Sequence, residues 1–105
     1  MYPTFPAKEF QLEISSPNVY LLDVRTPEEY AEAHLAGAHN LDVTQDDFES
    51  KAIASLPKDK TIAVYCRSGK RSAMAADKLE DAGFHVINLE GGITAWSEAG
   101  LPVTK

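Results

Sequence analysis

The stretch Thr61-Ile62-Ala63-Val64-Tyr65-Cys66-Arg67-Ser68-Gly69-Lys70-Arg71-Ser72 decides how this chain folds. Its first five residues are apolar, β-branched or aromatic, and they predict a strand over 61–65. The apolar pattern stops at Cys66, and a loop of basic and small residues follows. From Ser72 onward the apolar residues recur at helical spacing. Cys66 is therefore predicted at the carboxyl end of a strand, which is where open α/β sheets bind their ligands.

Apolar runs and amphipathic segments alternate on both sides of that stretch. Two further strands are predicted, at 19–22 and 85–89, with a short extended segment after a loop at 35–41. Thr26-Pro27-Glu28-Glu29 is a capping box with proline at the first helical position, and it predicts a helix to about residue 34. Three apolar stripes predict the other helices: Phe48, Ala52, Ile53 and Leu56; Ala73, Ala76, Leu79 and Ala82; Ile93, Trp96 and Ala99. This order predicts an α/β fold in which helices flank a mainly parallel sheet of four to five strands.

The N-terminal segment, residues 1–17, has the least regular pattern. Ala7, Phe10 and Ile14 are spaced as in a helix, whereas Pro3 and Pro6 leave little room for a strand ahead of it. The sequence therefore leaves open whether this segment adds a strand to the sheet. With 105 residues and no linker or repeat, residues 1–105 are predicted to form a single domain.

Composition and charge argue against several classes of function. The formal net charge of −6 would repel nucleic acid and anionic membranes, so neither is expected as a partner. The apolar runs are far shorter than the ~20 residues of a membrane-spanning helix, and no secretory signal is recognisable, so the expected location is cytoplasmic. The single cysteine excludes an internal disulfide and a metal site built from several thiolates.

Cys66 is the candidate nucleophile. In a loop between a strand and a helix, backbone N–H groups can converge on an anion, and the helix dipole adds to their effect. Three of the ten basic residues, Arg67, Lys70 and Arg71, lie in this loop, so it can be locally positive in an acidic chain. Such surroundings lower the pKa of a cysteine and increase its thiolate fraction at neutral pH. The pattern fits covalent chemistry on an anionic substrate.

A simpler interpretation makes Cys66 a small buried residue beside a solvated basic turn, because lone cysteines are often buried. Its position between a strand and a helix, next to three cations, favours a function. The histidines are poor candidates for a Cys–His pair, since His34 and His39 flank a loop and His85 opens a distant strand. Trp96 is interpreted as a core residue.

Four segments, in this order along the chain, resemble signatures of the rhodanese family. They are Leu22–Tyr30, His34–Ala38, Cys66–Arg71 and Leu89–Trp96, the last of which contains two adjacent glycines and a tryptophan. The resemblance extends from about Val19 to Val103. It implies the rhodanese-like fold, with three layers around a central parallel sheet, and the activity of a thiosulfate sulfurtransferase.

By that resemblance the Cys66 thiolate takes the outer sulfur of a donor such as thiosulfate, holds it as a persulfide and passes it to cyanide or a thiol. No cofactor or metal is implied. Because the chain has no second cysteine, the acceptor would be a small thiol or a reduced dithiol protein such as thioredoxin. The small anionic donor would be bound by the rest of the loop, namely Arg67, Ser68, Gly69, Lys70, Arg71 and Ser72.

Asp23 and Arg25, which follow the 19–22 strand, are expected to brace this loop through an ion pair. An exposed surface pair without function is an equally open interpretation, because such pairs contribute only ~0–1 kcal/mol.

Other functions of the same fold stay open. Its phosphatases and arsenate reductases use a loop of the Cys-x5-Arg type, whereas here the last arginine is Arg71 and the sixth residue after Cys66 is Ser72. The shorter loop disfavours a tetrahedral phosphate. A regulatory binding module is disfavoured because such relatives commonly lack the loop cysteine. The sequence does not separate a transferase from a redox sensor that uses the same thiolate.

Overall fold

Strands and helices alternate along the chain in the computed structural model, which describes residues 2–105. The described strands are β1 (Thr4–Phe5), β2 (Val19–Asp23), β3 (His39–Asn40), β4 (Thr61–Tyr65) and β5 (His85–Leu89). The helices are α1 (Ala7–Ile14), α2 (Pro27–Glu32), α3 (Phe48–Ser55), α4 (Lys70–Asp81) and α5 (Gly92–Glu98). All the strands pair in parallel, in the order β1-β5-β4-β2-β3. The predicted α/β fold with a parallel central sheet is confirmed.

β4 lies in the middle of the sheet because it is apolar on both faces. Ile62 and Val64 pack with buried residues of α3 and α4, whereas Ala63 and Tyr65 pack with buried residues of α1 and α5. Since side chains alternate between the two faces of a strand, Cys66 continues the row on the α4 side. Cys66 therefore lies on the face of the sheet that α4 covers.

The N-terminal segment adds a strand to the sheet, a point that the sequence leaves open. β1 is an edge strand that pairs with β5: the N–H of Asn88 donates to the carbonyl of Pro3 over 3.0 Å, and the N–H of Glu90 donates to that of Phe5 over 2.8 Å. Proline lacks an N–H but keeps its carbonyl, so it can accept from the neighbouring strand at an edge. The predicted helix after it is present as α1.

Two helix boundaries differ from those expected. α4 begins at Lys70 rather than Ser72, so the second half of the predicted loop forms the first helical turn. Its buried face consists of Ser72, Ala75, Ala76 and Leu79. α2 ends at Glu32 rather than near residue 34, although its capping box forms as predicted. None of the helices in residues 2–105 has the length and apolar character needed to cross a membrane.

Candidate active site

Cys66 directly follows β4, and its sulfur lies beneath the turn that leads to α4. The residue is 1% exposed. The N–H of Gly69 donates to its Sγ over 3.0 Å. The N–H groups of Ser68 and Ser72 and the Ser72 hydroxyl also help to lower the pKa of Cys66. Cys66 is thus as buried as the simpler interpretation requires. Its sulfur, however, faces a set of hydrogen-bond donors, which an inert core cysteine does not need.

Two opposing effects act on the pKa of Cys66. Burial raises the pKa, because a buried thiolate loses its hydration. The hydrogen bonds from Ser72, Gly69 and Ser68 stabilise the thiolate and outweigh burial, so the pKa lies below its ordinary value. The activation expected from the sequence therefore arises mainly from backbone and hydroxyl donors rather than from the cations of the loop.

Gly69 makes this arrangement possible. It occupies the N-cap position of α4, where no side chain caps the helix, and its φ is +114°. That conformation strains any residue with a Cβ, whereas glycine adopts it readily. The turn directs the Gly69 N–H at the sulfur, so Sγ takes the place that a capping oxygen has in other helices.

The Ser72 hydroxyl can change its hydrogen-bond acceptor when the sulfur becomes negatively charged. Its side chain is fully buried, and its hydroxyl donates to the carbonyl of Gly69 over 3.2 Å. The same hydroxyl also helps to lower the pKa of Cys66. Because a hydroxyl has one proton, it can donate to the carbonyl or to the sulfur, but not fully to both. An anionic sulfur favours the second arrangement.

The three loop cations have different surroundings. Arg67 and Lys70 are exposed, and neither has an ion pair within residues 2–105. Arg71 is held by Glu29 of α2 through two hydrogen bonds, of 2.6 Å from Nη1 and 2.9 Å from Nη2. Glu29 was not among the predicted site residues, because its partner lies 42 positions away in the sequence. The sequence marks Glu29 only as a member of the capping box of α2.

Asp23 and Arg25 form a buried pair, so the interpretation as an exposed surface pair is wrong. The Arg25 Nη2 lies 2.7 Å from the Asp23 Oδ2, and their side chains are 7% and 0% exposed. Arg25 also donates to the carbonyl of Ala33 over 2.6 Å and lies over the ring of Tyr65. The pair therefore fixes the connection from β2 to the end of α2. It reaches the loop only indirectly, through the residue before Cys66.

The turn is held from its other side by α5. The N–H of Ile93 donates to the carbonyl of Cys66 over 2.9 Å, and that of Thr94 donates to the carbonyl of Arg67 over 3.2 Å. A Cβ on Gly92 would lie 2.5 Å from the Arg67 carbonyl oxygen and closer still to that of Cys66. Gly92 is thus needed for this close backbone approach. This close backbone approach could not be predicted from the sequence, although two adjacent glycines are typical of such a site.

A groove of about 460 Å³ opens beside the turn. Its walls come from α2, from the residue after Cys66 and from α5, the elements that contact the site on two sides. The charged or polar residues that line it include Arg25, Glu29, Glu32, Arg67, Thr94 and Glu98.

The histidines lie away from the sulfur. His34 and His39 each stack on a tyrosine, with ring centroids 3.8 Å and 4.3 Å apart, and His85 is exposed at the first residue of β5. In the described part of the chain, no group of three or more His, Cys, Asp or Glu side chains is placed to hold a metal ion. Trp96 is a core residue as predicted, 3% exposed and packed edge-on against Phe10.

A family model described as a rhodanese-like domain matches residues 6–99. The chain belongs to the rhodanese family. A sulfurtransferase of Allochromatium vinosum is 39% identical over 87 residues, which cover 82% of this chain and 78% of that protein. A putative sulfurtransferase of Bacillus subtilis is 40% identical over 84 residues, covering 80% and 79% respectively. Both relatives are small, so the similarity includes most of each protein.

Solved structures show the same relationship. A rhodanese-related protein from Thermoplasma volcanium superposes with a TM-score of 0.84 at 33% identity, covering 98% of both chains. Several other relatives are longer, and this rhodanese domain spans 56% of their length or less. The rhodanese fold and the sulfurtransferase relatives both agree with the geometry around Cys66.

Proposed function

We propose that this rhodanese transfers sulfane sulfur through a persulfide on Cys66. The observation that carries the proposal is the hydrogen bond of 3.0 Å from the Gly69 N–H to Sγ, at the start of a helix that has no capping side chain. Donors that stabilise the thiolate before the reaction also suit the anionic sulfur of a persulfide after it. One fixed set of donors can therefore serve both halves of the cycle.

The reaction has two displacement steps. In the first, the Cys66 thiolate attacks the outer sulfur of thiosulfate, forming a new S–S bond and breaking the bond to the sulfonate. Sulfite leaves with the electron pair of that bond. In the second, cyanide or a thiolate attacks the terminal sulfur, and thiocyanate or an acceptor persulfide leaves while the Cys66 thiolate is restored. No net oxidation of the protein occurs, and the kinetics are ping-pong.

The donor is expected to be a small anion. Arg67 and Lys70 are exposed cations of the loop that begins at Cys66, without ion pairs in the described residues, and they can bind the sulfonate group. The groove beside Arg67 has room for such a donor. The role proposed for the remaining loop residues is to stabilise the anionic sulfur through their N–H and O–H groups; they are Ser68, Gly69 and Ser72.

The acceptor is expected to come from outside the chain. Cys66 is the single cysteine, so no internal thiol can take the sulfur and form a disulfide. A small thiol or a reduced dithiol protein such as thioredoxin would remove it. That chemistry needs a reducing compartment, which agrees with the cytoplasmic location expected from the sequence.

Phosphatase chemistry is the weaker candidate. A phosphate-binding loop needs an arginine turned toward the anion, and Arg71 is instead engaged by both carboxylate oxygens of Glu29. The next position is Ser72, whose short side chain is buried against the turn.

Steady-state turnover of thiosulfate and cyanide tests the proposal. We expect parallel double-reciprocal plots, as in ping-pong kinetics, and loss of thiocyanate formation by about a thousandfold or more in Cys66→Ser. Circular dichroism of both proteins controls for folding. Thiocyanate formation that is unchanged in Cys66→Ser would contradict the proposal, as would hydrolysis of an aryl phosphate at a rate above sulfur transfer.

A further inference from the structure

Glu29 is the most heavily engaged side chain between α2 and the turn above Cys66. Its Oε1 accepts from the backbone N–H and the hydroxyl of Thr26, over 3.2 Å and 3.1 Å. The same carboxylate accepts both hydrogen bonds from Arg71. The hydrogen bond from Arg71 is the largest reason that the pKa of Glu29 falls to about 2. Glu29 is therefore ionised and fixed from two sides across the physiological range.

Arg71 is close enough to the reacting sulfur to matter for its charge. It lies in the first turn of α4, next to Ser72, whose N–H and hydroxyl both help to lower the pKa of Cys66. The pairing with Glu29 contributes most to raising the pKa of Arg71, and the Cys66 thiolate and Asp42 add to the effect. An unpaired Arg71 would thus be an additional cation at the mouth of the site, beside Arg67 and Lys70.

α2 depends on such polar contacts for its position. None of its residues is fully buried, so it has little apolar packing to hold it. Arg25 holds its carboxyl end through the carbonyl of Ala33, and Glu29 holds its first turn against α4. Glu29 also lines the groove beside Arg67. A bidentate pair fixes both position and direction, which a single contact does not.

We propose that Glu29 is a positioning and specificity-determining residue: it holds Arg71 away from the donor, so the donor's anionic group is bound by Arg67 and Lys70 alone. The proposal rests on the proposed sulfur transfer and reassigns one of the loop cations expected to bind the donor. The charges of Glu29 and Arg71 cancel each other within their pair, so Arg71 adds little to the affinity for a dianionic donor.

The test compares KM and kcat for thiosulfate in three variants. Glu29→Gln retains the shape of the side chain but releases Arg71, so KM should fall about threefold or more while kcat stays within about twofold. The double variant Glu29→Gln/Arg71→Gln removes both charges, and its KM should return to within about twofold of wild type. Glu28→Gln is the matched control: it removes an exposed carboxylate from the same helical turn, with no contact to Arg71, and should change KM less than Glu29→Gln.

A second measurement is made without a sulfur donor. Titration of the Cys66 thiolate by its ultraviolet absorbance should show a lower pKa in Glu29→Gln than in wild type, and a pKa close to that of wild type in the double variant. An unchanged KM and thiol pKa in Glu29→Gln would overturn the inference, as would a tenfold increase in KM in the double variant, because Arg71 itself would then bind the donor. Failure of the proposed function is distinguishable, since wild type would then form no persulfide while the thiol pKa could still respond.

Discussion

The helices α2 and α4 begin at the same edge of the sheet, after the paired strands β2 and β4, yet their first turns differ. At α2 the Thr26 hydroxyl accepts from the Glu29 N–H over 3.3 Å, and the Glu29 carboxylate accepts from the Thr26 N–H. At α4 the N-cap is Gly69, no side chain caps the helix, and the Gly69 N–H donates to the sulfur of Cys66. The same unpaired backbone donors are thus satisfied by oxygen in one helix and by a reactive sulfur in the other.

This difference explains where chemistry can occur. The first turn of α2 carries two carboxylates, Glu28 and Glu29, whereas that of α4 carries none, so only α4 offers a positive end to an anion. The Glu29–Arg71 pair then joins the two turns. The capped helix α2 is thus paired with the uncapped helix α4, whose first turn holds the anionic sulfur. Variants of the contacts that hold these turns should have the largest effects, variants of the uncapped turn of α4 smaller ones, and loss of the cap of α2 the smallest.

Removing the outside support of the uncapped turn should have the largest effect. In Gly92→Ala the new Cβ would collide with the carbonyls of Cys66 and Arg67, and φ of +61° disfavours any Cβ. We expect a loss of about 4 to 5 kcal/mol in the free energy of unfolding, measured with urea. Gly100→Ala is the control, because it shares a positive φ but has nothing within 4 Å, and it should cost about 1 kcal/mol. Equal losses in the two variants would contradict the proposed close approach.

Breaking the buried pair on the α2 side should be the next largest change. Asp23→Asn leaves the Arg25 charge buried without its counter-ion, and we expect a loss of about 3 kcal/mol in unfolding free energy. Asp47→Asn breaks an exposed pair with Lys51 and should cost less than about 0.5 kcal/mol. If both variants lost the same small amount, Asp23 and Arg25 would behave as a surface pair after all.

Removing a donor from the uncapped turn should change reactivity more than folding. Ser72→Ala deletes a hydroxyl that helps to stabilise the thiolate, so the pKa of Cys66 should rise. The thiolate fraction then falls at neutral pH, and the rising limb of the pH–rate profile moves to higher pH. Ser72→Thr keeps the hydroxyl and serves as the control. A pH–rate profile that coincides with wild type in Ser72→Ala would exclude this role.

Removing the cap of α2 should have the smallest effect. Thr26→Ala loses the oxygen that accepts from the Glu29 N–H, which costs about 1 kcal/mol of unfolding free energy. Because Glu29 keeps its pair with Arg71, the thiol pKa of Cys66 should change by less than in Ser72→Ala. A larger pKa change in Thr26→Ala, followed by the same thiolate titration, would show that capping of α2 and not the donors of α4 controls the sulfur.

The contrast between the two turns also shows what the sequence could predict. The strands β4 and β5 were predicted at their observed bounds because continuous apolar runs mark strands buried on both faces. The capping box of α2 was predicted because its residues are adjacent in sequence. The start of α4 was placed two residues late, since Gly69 offers no capping side chain to recognise.

Contacts between distant parts of the chain could not be predicted. The pair between Arg71 and Glu29 could not be predicted because Glu29 lies in a different helix, and ion pairs leave no local pattern. The burial of Asp23 and Arg25 depends on how α2 packs over them. The presence of β1 could not be decided because two residues between prolines carry no periodic signal, although the carbonyl groups of this segment are sufficient for pairing at the edge.

The central claim is that the uncapped turn of α4 holds a sulfur that can accept a second one. Mass spectrometry of the intact protein after exposure to thiosulfate, followed by removal of the donor, tests this claim most directly. We predict a gain in mass of one sulfur atom in wild type that disappears on addition of cyanide, and no gain in Cys66→Ser. An unchanged mass in wild type, or the same gain in Cys66→Ser, would contradict it.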